Sequence, residues 1–174
     1  FALLHEGKQI NGLDWVMEGQ TYENEYWFEK TRFGGRAHPY SRPYAFEGHA
    51  NQCVAILSMC GVDLDQTFGT ASGPITMRDM IKHAQMSVSA TDEPTWTLWA
   101  LSRYLPPTAQ WQNAKGEHWS IEKLVQSQTA KPMQGSPCGG THGLFALAHA
   151  RNVYLRQGKP LRGVWLQSEY KIRQ

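Results

Sequence analysis

The chain has 174 residues, 41% of them hydrophobic and 18% charged, with a formal net charge of +2. That length supports one domain with a substantial core, and the near-neutral balance offers no basic stripe to a phosphate backbone, which argues against nucleic acid as a partner. No apolar run approaches the length of a bilayer span, and three cysteines (Cys53, Cys60 and Cys138) are too few and too odd in number for a disulfide framework.

In chain order, Phe1-Ala2-Leu3-Leu4-His5 echoes Phe145-Ala146-Leu147-Ala148-His149 almost letter for letter. Residues 1–10 therefore read as the end of an inner helix of a preceding repeat, which makes the chain part of something larger. Residues 11–45 are aromatic and charged with weak periodicity. They predict a short helix near Asp14–Gly19 and otherwise a long loop broken by Gly and Pro, of the kind that carries function.

An apolar helix follows over Phe46–Cys60, then a loop over 61–75. An amphipathic helix over Thr76–Val88 has Thr76 as N-cap and Asp79 completing a capping box. Pro94 suits the first turn of the next helix, which ends before Pro106-Pro107. Residues 111–119 predict a small hairpin, and Ser120 caps a helix over Ile121–Thr129. The last apolar helix runs about Thr141–Gln157 and is stopped by Gly158. Pro160 then opens a final helix through Ile172.

Three apolar segments share one pattern. Aligning Val54, Leu98 and Leu144 gives offsets of about 44 and 46 residues, a period that means stacked supersecondary units. Apolar helices alternate with amphipathic ones, so the former read as an inner ring and the latter as an outer ring. The expected fold is all-α, an α/α toroid or an arc of one. It is built from helical hairpins over 46–90, 91–135 and 136–174, as a fragment of a larger ring. An open α-solenoid is the alternative.

In such an arc the inner helices run the same way and gather their N-termini at one mouth. Free N–H groups and positive potential there favour anions. The residues brought to it are His49, Asn51, Gln52, Glu93, Thr95, Trp96, Cys138, Thr141 and His142. Three chemistries use such a set. Cys138, His142 and His49 are a three-ligand zinc set. Cys138 at a helix N-terminus near a histidine is an activated thiol. Removing a proton beside a carboxylate needs Asn, His or Arg to neutralise it and His or Tyr to move protons, and Asn51, His49, Arg42, His142 and Tyr44 are those types.

The helical-pair repeat and the small-residue entry to the inner helices resemble the α/α-toroid superfamily. That group includes terpenoid cyclases, protein prenyltransferases, lanthionine cyclases and several polysaccharide lyases. Thr141-His142-Gly143 before an apolar helix is similar to one inner helix of the lanthionine cyclases, but the Trp-Cys and Cys-His-Gly zinc motifs are missing. The chain is also similar to uncharacterised exported proteins of planctomycete-type bacteria that carry the C-G-G-T-H stretch found at Cys138–His142. That likeness implies a periplasmic or extracellular protein.

The expected function is thus a carbohydrate-active enzyme, a polysaccharide lyase cleaving uronic-acid polymers by β-elimination without a cofactor. Asn51 and His49, helped by Arg42, would hold the carboxylate, and His142 and Tyr44 would exchange protons. Trp96, Glu93, Thr95, Thr141, Gln52 and Tyr40 would line the substrate. The alternatives are a non-catalytic toroid binding a glycan or protein through the aromatic loop at 22–44, and a zinc enzyme using Cys138 and His142.

Overall fold

The computed structural model describes residues 2–22, 24–37, 49–136 and 140–174. The N-terminal part is built from hairpins. Strands β1 (Ala2–His5) and β2 (Lys8–Asn11) pair antiparallel across a turn in which Glu6 and Gly7 both take positive φ. Helix α1 (Gly12–Met17) follows, started by the Asn11 side chain accepting from the Leu13 N–H. Next come β3 (Thr21–Tyr22) with β4 (Glu25–Tyr26), and β5 (Phe28–Thr31) with β6 (Gly34–Ala37).

The rest alternates helix and short hairpin. Helix α2 (Gln52–Met59) leads to β7 (Thr67–Phe68) and β8 (Ile75–Thr76), and these to α3 (Met77–Ser87). Helix α4 (Thr95–Tyr104) leads to β9 (Gln110–Gln112) and β10 (His118–Ser120), and these to α5 (Ile121–Ala130). Helices α6 (Thr141–Leu155) and α7 (Gly163–Arg173) close the chain.

Local chemistry accounts for the helix starts. Thr76 accepts from the Asp79 N–H while the Asp79 carboxylate accepts from the Thr76 N–H, the reciprocal capping box. Ser120 Oγ accepts from the Lys123 N–H. Pro94, with its fixed φ, sits at the entry to α4. Gly158, at φ +71°, follows the end of α6.

Packing is organised about α4. It contacts α2 on one side and α6 on the other, with α3 and α5 behind it. Helices α2, α4 and α6 thus form one layer, and α3, α5 and α7 lie against it. Leu98 and Leu101 of α4 are fully buried, as are Met80 of α3, Leu124 of α5 and Leu147 of α6. The β5–β6 hairpin joins this core. Phe28 of β5 meets Phe68 of β7 with ring centroids 4.6 Å apart, and β6 packs on α3.

The all-α toroid is overturned. Among the described residues the chain is mixed α/β, with seven helices and five two-stranded antiparallel hairpins. The reason is local. Gly73 and Gly116 at positive φ turn the chain back on itself immediately before α3 and α5, so the pieces read as connections pair as strands. The stretch read as an inner helix at Phe1–His5 is a strand from Ala2 onward, because the turn at Glu6-Gly7 returns Lys8–Asn11 alongside it. Residues 11–45 have the short helix expected near Asp14–Gly19 as α1, but their described part also contains two hairpins where a loop was expected. A clear helical repeat is not present, and the fold-level support for a polysaccharide lyase goes with it.

Among the described residues no helix is long and apolar enough to cross a membrane.

Candidate functional site

The loops and first turns before α2, α4 and α6 lie together. His49 precedes α2, Glu93 precedes α4, and His142 is in the first turn of α6. The His49 Nδ1 and Glu93 Oε2 atoms approach to 2.6 Å, both side chains being about a quarter to a third exposed. The His49 and His142 rings stand 6.5 Å apart, edge to face. Trp96 lies beside both, 4.9 Å from His142 and 6.2 Å from His49. Three segments distant in sequence thus place two imidazoles and a carboxylate around one indole.

The partners of the remaining residues are set by α4. Thr95, its first residue, is buried and donates its hydroxyl to Gln128 Oε1 of α5 at 2.9 Å. Thr97 accepts from Asn51 Nδ2 at 2.8 Å. Asn51 takes the left-handed conformation at φ 63°, which asparagine tolerates better than most residues, and its side chain does not cap α2. Trp96 is 7% exposed. It therefore packs against both histidine rings and is not an open platform. Thr141 is exposed at the start of α6, and Gln52 is partly buried at the start of α2.

Two cavities share this region. One, of about 270 Å³, is lined by Glu93, Thr95, Gln128, Lys131 and the first turn of α6 with His142. The other, of about 230 Å³, is lined by Arg36, Asn51, His83, Asp92 and Thr97. The single mouth expected from the sequence is divided, and Asn51 and His142 line different halves. Tyr40, Arg42, Tyr44 and Cys138 lie outside the described residues. Among the described residues no group of three or more His, Cys, Asp or Glu is placed to hold a metal ion, and the zinc set named above rests on Cys138.

Sequence reasoning missed Gln128 and Lys131. Both sit in the last turn of α5 or just after it, in a segment read only as an amphipathic outer helix. Gln128 occupies the helical position four residues after the fully buried Leu124, so its inward direction was readable from helical spacing.

Acid–base chemistry suits the cluster. A carboxylate beside one imidazole nitrogen favours the proton there and leaves the other nitrogen to accept one. A second imidazole at short range can supply a proton elsewhere on the same substrate. No protein-family model matches this chain, nor does any curated protein or solved structure.

Proposed function

We propose that the His49–Glu93–His142 cluster is the acid–base site of an enzyme acting on a polar, anionic substrate. The observation that carries it is the 2.6 Å approach of Glu93 to His49 with the His142 ring 6.5 Å from that of His49. Glu93 holds the Nδ1 proton of His49, so that Nε2 is the base. His142 is the acid that protonates a leaving oxygen. Elimination from a uronic-acid polymer, in which a C–H proton passes to His49 as a C–O bond breaks under protonation by His142, is one form of this chemistry.

The test is an activity screen on anionic sugars, with polyuronates followed by the ultraviolet absorbance of unsaturated ends. Positioned acid–base groups contribute on the order of 10²–10⁴-fold in rate. His142→Ala and Glu93→Gln are each expected to lower kcat by about that factor, with circular dichroism unchanged. Turnover that survives both substitutions would remove the acid–base assignment. Saturable binding without turnover on any substrate would make the cluster a binding site.

A further inference from the structure

The cavity between α4, α5 and α6 has a chemistry that the acid–base cluster does not use. Its floor is the last turn of α5, its wall is the first turn of α6, and Glu93 and His142 stand at one edge. We propose that this cavity is an oxyanion subsite that takes a carboxylate or phosphate group of the substrate. It rests on the proposed function for its place beside His142, but its own ligand chemistry is independent of that reading.

Three observations point the same way. The first is the buried amide of Gln128, a side chain only 6% exposed. Its Oε1 is occupied by the Thr95 hydroxyl at 2.9 Å, which turns Nε2 toward Gly143 and the cavity. That N–H₂ finds no acceptor among the described residues. An amide N–H₂ at the cavity wall with no protein acceptor is available to a ligand oxygen.

The second is the start of α6. Gly140 stands at the N-cap with φ +78° and no side chain caps the helix, so the first-turn N–H groups and the positive end of the helix dipole remain for a ligand. Gly143 is required by the same geometry. A Cβ at that position would overlap Gln128 Nε2, so the close approach of amide and helix exists only with glycine.

The third is the charge balance. Lys131, a cationic residue, is among those lining the cavity. Lys171 of α7 donates to the carbonyls of Gln128, Thr129 and Lys131, the last carbonyls of α5. It thereby offsets the negative end of the α5 dipole next to the cavity. Glu93 is the one carboxylate among the cavity-lining residues, and it is engaged with His49. At about 270 Å³ the space suits a single sugar acid or a smaller anion and not a large ligand.

The test is calorimetric titration of the full chain with glucuronate, inorganic phosphate and neutral glucose at fixed ionic strength. Saturable binding of glucuronate or phosphate is expected, with glucose silent, and the tighter of the two anions identifies the group. Gln128→Glu keeps the shape and the Thr95 contact but faces the ligand with a like charge, so affinity should fall at least about tenfold. Lys131→Gln, at a partly exposed position, should weaken binding by about threefold and reduce its salt dependence. If Gln128→Glu does not fold, Lys131→Gln decides in its place.

Neither anion saturating, glucose binding equally well, or affinity unchanged in the folded variants would overturn the proposal. Anion binding without turnover on any substrate would remove the acid–base reading alone. Turnover without anion binding would remove this one alone.

Discussion

His83 stands half-buried on α3, with its Nδ1 2.9 Å from the hydroxyl of Thr31 on β5. Burial first, then the charge of Arg36, lowers its pKa from 6.5, and Glu29 opposes them. His149 on α6 is lowered in the same way by burial, then by Arg156 and Arg103. A depressed histidine disfavours the charged form in the folded state, so the unfolded chain takes up the proton first as pH falls. The stability these two groups confer is present above pH 6.5 and is lost as pH drops below that value toward their folded pKa. The urea midpoint should therefore fall between about pH 7.5 and 5.5. His83→Gln should flatten part of that slope, and an unchanged slope would show that His83 is as accessible to protons folded as unfolded. At this scale the sequence was legible in residue type more than in role. His49, Glu93 and His142 were marked by their position before apolar helices. That Asn51 would turn its amide to Thr97 and into a separate cavity follows from a left-handed backbone that no neighbour in sequence dictates.

Helix starts were readable because their causes are local. Thr76 with Asp79, and Ser120 before Ile121, satisfy backbone donors within three residues, so spacing alone reveals them. The hairpin expected over 111–119 is there as β9 and β10, but the other short hairpins were not readable, since alternation cannot be recognised over so short a run, and their stability comes from distant neighbours. The seat of β6 shows this. Gly35 lies against Ile75 of β8, where an added Cβ would stand 2.9 Å from the Ile75 Cβ. Gly35→Ala should thus destabilise the fold by about 1–3 kcal/mol through overpacking, read as a lower denaturation midpoint with an unchanged slope. A neutral result would mean that this hairpin does not press on the body of the molecule. The toroid expectation failed for the same reason. Outer helices with the right amphipathic period were recognised, while of the two hairpins that introduce them only the one before α5 was expected and β7–β8 was read as a loop.

For the molecule as a whole, α4 couples core to site. Its first turn gives Thr95 to α5, Trp96 to both histidine rings, and Thr97 to Asn51. Leu98 follows directly and is fully buried between the flanking helices. Emptying that position should cost roughly 2–5 kcal/mol, as large-to-small core changes do, and should also loosen the helix that packs against both α2 and α6. Met80 on α3 is equally buried but lies outside the cluster, so Met80→Ala should cost a similar roughly 2–5 kcal/mol without disturbing the histidines. Compared at a temperature where both variants are fully folded, Leu98→Ala should weaken glucuronate binding and Met80→Ala should leave it near the parent value. Equal effects in both would mean that the site depends on global stability alone. A selective effect of Leu98→Ala would show that the first turn of α4 is the frame on which the two histidines and the buried amide are held.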